Sequence, residues 1–165
     1  MEKYRYVIDT GVLIDFNHSN ILEVLIRLKA EWMISDLSKE ELIYPEINTL
    51  ISPGLQIIEL DRQDIKRIIM RGEKYPALTV SDRAHLVLSK RKSAVLITGD
   101  RHLRQAAENE GITVHGTLWL IDELVSRCLL TPKRAAKAMQ EMINKGSYLP
   151  ATECQKRIKL WLGEK

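Results

Sequence analysis

Short apolar runs alternate along this chain with stretches in which apolar residues recur every three or four positions. Tyr6-Val7-Ile8 is a β-type run that stops at Asp9-Thr10-Gly11, after which Val12, Leu13 and Phe16 take up helical spacing. Ile21, Leu22, Leu25, Ile26 and Leu28 continue on a helical face that Asn20 can cap, and Trp32-Met33-Ile34 reads as a second strand. Ser35 and Asp36 cap a helix through Leu42. Pro45 and the Ser52-Pro53-Gly54 group break the chain into loop, and Leu55 to Leu60 gives a third strand. Asp61 caps the next helix, whose predicted buried stripe is Ile65, Ile68 and Ile69, ending at Gly72. Ser81 opens another that carries Ala84, Leu86, Val87 and Leu88.

Ala94-Val95-Leu96-Ile97 is an unbroken apolar run, the pattern of a strand buried on both faces, and it stops at Thr98-Gly99-Asp100. Arg101 to Glu110 is helical, Gly111 caps it, and Ile112-Thr113-Val114 is a last short strand. Strands separated by helices predict an α/β fold with a mostly parallel sheet covered on both faces, in right-handed βαβ units. Leu118 to Leu129, Thr131-Pro132 to Lys145 and Ala151 to Leu162 are three further helical stretches. They divide the chain into a domain over 1–130 and a helical extension over 131–165 packed on it.

The chain's 165 residues, 45% hydrophobic and 28% charged, suit one ordinary domain that folds without disulfides or structural metal. That composition excludes a disulfide-stapled scaffold and a disordered chain. Cys128 and Cys154 form no CxxC pair, and the N-terminal segment passes straight into a charged strand with no apolar stretch for a signal or membrane span. Together these predict a reduced, cytoplasmic setting without membrane contact. The net charge of +3 hides an uneven distribution. From Pro132 to Lys165 there are 8 basic residues against 3 acidic ones, so the basic excess lies in the C-terminal helices, and that would suit a phosphate-rich partner.

Ligands of an open parallel sheet bind beyond the carboxyl ends of its strands. Asp9 and Asp100 both lie at such ends, Glu41 sits about one turn into the helix after the second strand, and Asp82 lies in the first turn of the helix before the Asp100 strand. Carboxylates gathered without cations repel one another, so four that converge imply a metal; hard oxygen donors without His or Cys point to Mg²⁺ or Mn²⁺. Phosphodiester hydrolysis is the chemistry such a centre supports. Taken singly, each residue has a structural use: Asp9 and Asp100 as turn or cap residues, Asp82 as first-turn helix decoration, Glu41 as a solvated side chain.

The segments Val7-Ile8-Asp9-Thr10-Gly11-Val12-Leu13-Ile14, Ile34-Ser35 through Glu41-Leu42, Ser81-Asp82 with its helix, and Ile97-Thr98-Gly99-Asp100-Arg101-His102-Leu103 resemble, in order, the PIN domain. The resemblance runs from Tyr6 to about Leu130, and Gly116-Thr117-Leu118 is similar to a bacterial sub-group with C-terminal helices. It implies a Rossmann-like α/β/α sandwich and Mg²⁺- or Mn²⁺-dependent ribonuclease activity, as in the toxins of VapBC-type toxin–antitoxin pairs. It also implies a homodimer and a small antitoxin protein as partners, with RNA as substrate. By position, Asp9, Glu41, Asp82 and Asp100 match the family's acidic quartet, with Thr98 and Thr10 in supporting places. Two departures stand out. Gly11 replaces the Ser or Asn frequent there, and Asp82 lies in Ser-Asp-Arg-Ala-His where the sub-group often has a nearby Glu.

Lys39, Arg83, Arg101, His102 and Arg104 are the candidates for meeting RNA phosphates. His85 and His115 lack the spacing of a transition-metal site. Of Trp32, Trp119 and Trp161, at least two belong in the core rather than stacking on bases. Three other classes fit less well. An Asp-x-Asp phosphatase needs a second Asp where Gly11 stands, a dinucleotide binder needs GxGxxG after the first strand, and an RNA-binding module would keep the pocket without turnover.

Overall fold

The apolar run that ends at Ile8 becomes the middle strand of the sheet. In the computed structural model, which describes residues 4–43, 46–51 and 54–164, β1 (Tyr4–Ile8) pairs with β2 (Ala30–Ser35) on one side and β4 (Val95–Ile97) on the other. β3 (Leu55–Ile58) lies beyond β2, and β5 (Val114–His115) lies beyond β4. All four pairings are parallel, and among the described residues the order is β3-β2-β1-β4-β5. The fold is the expected Rossmann-like α/β/α sandwich.

Helices cover both faces because the strands alternate their side chains between two apolar layers. Tyr6, Ile8, Trp32, Ile34 and Ile97 face one layer, and Val7, Met33 and Leu96 face the other. On the first lie α1 (Thr10–His18), α2 (Leu22–Arg27) and α8 (Thr117–Ser126), which supply Phe16, Leu25 and Leu120. α3 (Asp36–Glu41) and the short α4 (Ile47–Ile51) follow β2. α5 (Arg62–Lys74), α6 (Val80–Lys92) and α7 (Arg101–Asn109) follow in order, and Leu86, Leu88, Leu103 and Ala106 from α6 and α7 cover the second face.

α9 (Pro132–Asn144) and α10 (Ala151–Leu162) complete the chain. Ala135, Ala138, Met139, Met142 and Cys154 are buried in the same cluster as Phe16 and Leu120, so these helices thicken the first apolar layer. Their basic residues hold them in place. Arg134 bonds the Glu23 carboxylate at 2.7 Å and the Asn20 carbonyl at 2.9 Å, and Arg157 grips Asp122 on α8 through Nε and Nη2 at 2.9 and 2.8 Å. Lys145 donates to the His18 carbonyl. Three of the eight C-terminal basic residues are therefore engaged in docking.

Several local expectations are corrected. Asn20 does not cap α2: it adopts a left-handed conformation (φ 56°) in the turn after α1, and Ile21 takes the cap position without a side-chain bond. Thr79, not Ser81, caps α6, through a capping box with Asp82. Of the stripe predicted for α5 only Ile68 is buried. Ile65 and Ile69 are 40% and 65% exposed, because α5 packs on α6 outside the sheet and buries one narrow line of residues. A one-turn helix, α4, stands in the region read as loop; Pro45, Ser52 and Pro53 lie outside the described residues. Trp32 is buried, whereas Trp119 and Trp161 are half-buried. Cys128 and Cys154 are both free thiols. No helix among the described residues is long and apolar enough to cross a membrane.

The two environments predict opposite outcomes in chemical denaturation. Met142→Ala is expected to cost about 2–5 kcal/mol, the range for emptying a filled core site. Ile69→Gln on the exposed face of α5 is expected to stay within about 0.5 kcal/mol of wild type.

Candidate active site

The chain leaves β1 toward β2 and returns on the other side of β1 as β4, so the loops following these two neighbours diverge and open a crevice at their carboxyl ends. Strand pairing continues to its edge: the Asp9 N–H donates to the Ile97 carbonyl at 2.9 Å. Asp9 is then the N-cap of α1, its Oδ1 3.4 Å from the Gly11 N–H, and Asp100 is the N-cap of α7, accepting from the Leu103 N–H at 2.7 Å. Both carboxylates thus sit at the positive ends of helices. The fully buried Thr98 ties the Asp9 carboxylate to the Asp100 backbone. Its hydroxyl donates to Asp9 Oδ2 at 2.8 Å and accepts from the Asp100 N–H at 3.0 Å.

Asp9 and Asp100 line a cleft of about 660 Å³. Arg101 and His102, both exposed, line it from the start of α7, and Ser147 and Tyr148 line it from the segment between α9 and α10. Gly11 lines the cleft with open space where a Cβ would stand, so its missing side chain widens the cleft and relieves no clash. A third carboxylate, Asp15, was not singled out from sequence. It lies on α1, and Ser147 Oγ donates to its Oδ1 at 2.6 Å. Burial pushes the Asp15 carboxyl up from its ordinary range, the Ser147 bond and His18 pull against this, and the negative charge of Asp9 adds to the rise. The available signal was an acid interrupting the apolar run from Val12 to Phe16.

Glu41 and Asp82 do not line this cleft. Glu41 is the exposed last residue of α3, and the Asp82 carboxylate accepts from the Thr79 N–H at 2.9 Å inside the capping box of α6. The helices that carry them are pinned together by a buried hydroxyl network. Ser38 Oγ lies 2.9 Å from Ser35 Oγ, 3.2 Å from Ser81 Oγ and 3.3 Å from His85 Nε2. Thr10 is buried at the start of α1, and Lys39 is exposed on α3. Arg83 is engaged within the fold: it donates to the Thr79 and Ile68 carbonyls, and a side chain at Gly72 would collide with its guanidinium.

Among the described residues no three Asp, Glu, His or Cys side chains are grouped closely enough to cage a metal. Mg²⁺ does not require such a cage, since it is commonly held by one or two carboxylates and completes its shell with water. Asp9 and Asp100 fit that description. They are hard oxygen donors facing one cleft, and among the described residues nothing bonds Asp100 Oδ2.

A family model described as PIN domain matches residues 5–162. The chain belongs to the PIN domain family. Members of this family are generally nucleases and usually use divalent metal ions. Among solved structures, this PIN domain is similar in fold to PAE2754 from Pyrobaculum aerophilum, with a TM-score of 0.51 and 15% identity over 74% of this chain and 90% of that one. A PilT N-terminus domain protein, SSO1118 from Sulfolobus solfataricus P2, aligns with a TM-score of 0.49 and 13% identity over 72% of this chain and 92% of that one. No curated protein sequence matches the chain.

Two variants test this geometry. Thr98→Val keeps the shape but removes the hydroxyl that joins the two aspartates, and it is expected to lower unfolding free energy by about 1–3 kcal/mol, with Thr98→Ser costing less. For Asp15 the folded carboxyl titrates above its ordinary value of 3.8, so the folded state binds the proton more tightly than the unfolded chain. Wild type therefore loses stability as pH rises from that ordinary value through the raised one. Asp15→Asn should flatten this part of a denaturation-against-pH profile.

Proposed function

We propose that this PIN domain is a metal-dependent endoribonuclease, of the kind that serves as toxin in a toxin–antitoxin pair. The observation that carries the reading is the Thr98-linked pair of Asp9 and Asp100 in a switch-point cleft that Arg101 and His102 also line. Mg²⁺ or Mn²⁺ held by Asp9 and Asp100 would supply water activation and charge stabilisation for phosphodiester hydrolysis. Thr98 holds the Asp9 carboxylate against the backbone of Asp100 and takes up one lone pair of Asp9. Arg101 and His102 bind the RNA phosphate from the start of α7. Ser147 holds Asp15 against the wall through its hydroxyl. Glu41 and Asp82, which do not line the cleft, have no part in holding the metal in this reading. A small antitoxin protein and a second copy of the chain are the proposed protein partners.

A second reading follows from the distance of Glu41 and Asp82 from the cleft: an RNA-binding module whose pocket does not turn over. Cleavage of single-stranded RNA by purified protein with Mn²⁺ or Mg²⁺ separates the two. Asp9→Asn and Asp100→Asn are each expected to lower the cleavage rate by about a hundredfold or more, since even groups that only support metal ligands are worth about 10- to 100-fold. Equal cleavage by wild type and both variants overturns the proposal, and RNA binding without cleavage favours the module.

A further inference from the structure

The cleft does not end at the carboxylates. Gly99, Thr117, Tyr148 and Leu149 line both it and a second hollow of about 300 Å³, so the two are lobes of one trough. The second lobe is walled by Arg104, His115 and Trp119. The His115 ring stacks on the Trp119 indole with centroids 4.0 Å apart and planes within 9°, which gives this wall a flat, rigid face. Burial, and then the charge of Arg104, press the His115 pKa down, favouring the neutral ring. Arg104 lies against bare backbone: a Cβ at Gly116 would come within 3.1 Å of its Nη2. Its ion pair with Glu108 is long, at 3.9 Å, which leaves most of its donors for a ligand.

Tyr148 stands between the lobes. It is 97% exposed, the most exposed aromatic ring among the described residues. Its neighbours are nevertheless anchored: Ser147 bonds Asp15 through its hydroxyl and donates its N–H to the Met142 carbonyl at 3.0 Å, and Leu149 packs on the main core. A ring in water between anchored neighbours offers a stacking face at little ordering cost. Cationic side chains that follow a phosphate backbone, joined to aromatic faces that take up successive bases, are what a single-stranded polynucleotide requires.

We propose that the second lobe receives one unstacked nucleobase of the substrate strand, stacked on Tyr148, while Arg104 meets the phosphate next to the one at Asp9 and Asp100. This assignment rests on the nuclease reading for the position of that first phosphate. A lobe of about 300 Å³ is at the small end of ligand pockets and has room for an unstacked base. The protein therefore selects single strands, because a paired base reaches the lobe only by leaving its stack.

The test is fluorescence anisotropy with the full chain and a labelled single-stranded oligoribonucleotide in EDTA, which keeps cleavage from intervening. Tyr148→Ala is expected to weaken binding about tenfold, Tyr148→Phe to bind as wild type does, and Arg104→Gln to weaken binding and reduce its salt dependence. A duplex of the same sequence and an abasic oligomer should bind wild type weakly and be indifferent to Tyr148→Ala. Wild-type affinity in Tyr148→Ala, equal sensitivity of the abasic oligomer, or no single-strand binding by wild type overturns the proposal. Cleavage with Mn²⁺ tells its failure from that of the nuclease reading. Tyr148-dependent binding without cleavage rejects the nuclease and keeps the subsite; cleavage lost in Asp100→Asn with KM unmoved by Tyr148→Ala rejects the subsite and keeps the nuclease.

Discussion

Two parallel strands, β1 and β4, run side by side until the Asp9 N–H meets the Ile97 carbonyl, and from that last rung the chain turns outward twice. The rest of the cleft depends on this rung. It brings two carboxylates of like charge to neighbouring strand ends, where repulsion would separate flexible side chains. Three features oppose the repulsion. Each carboxylate caps a helix and sits in its positive end, one buried hydroxyl bonds to Asp9 and to the backbone of Asp100, and the strands beneath are locked by apolar burial on both faces. Thr98 is thus more than a pocket lining, since it couples the position of one aspartate to the backbone of the other.

The C-terminal helices belong to the same construction. Met139 and Met142 fill the layer beneath α1 and α8, and Arg134, Lys145 and Arg157 bind carbonyls and carboxylates of earlier elements. With the helices docked, the segment from Ser147 to Leu149 lines the same cleft as Arg101 and His102. Part of a charge asymmetry that suggests a polyanion partner when read along the chain is thus an intramolecular device, carried by Arg134, Lys145 and Arg157. The cations that face the trough come instead from α7, where Arg101 and Arg104 follow Asp100 directly.

At the other edge, the Ser35, Ser38, Ser81 and His85 network joins α3 to α6 without water access. It fixes the relative placement of the helices bearing Glu41 and Asp82, and the capping box draws the Asp82 carboxylate back to its own helix start. The acidic quartet is consequently divided into a coupled pair inside the cleft and two residues outside it.

Much of this was legible one segment at a time. Apolar runs gave five strands, the break after Ile97 located the second aspartate, and the motifs around Asp9 and Asp100 identified the family, because strand and helix periodicity and capping are local properties of neighbouring residues. The failures also have local roots. An Ile stripe on α5 looks the same whether the helix packs on a sheet or on one other helix, and Asn20 suits a left-handed turn as well as a cap. What only the tertiary structure decided was which distant residues meet. The adjacency of β1 and β4, the reach of Thr98 across 89 positions to Asp9 and of Ser147 across 132 to Asp15, and the separation of Glu41 and Asp82 from the cleft all follow from strand order and helix docking. Such contacts join residues that share no periodicity, so the one-dimensional pattern carries no trace of them.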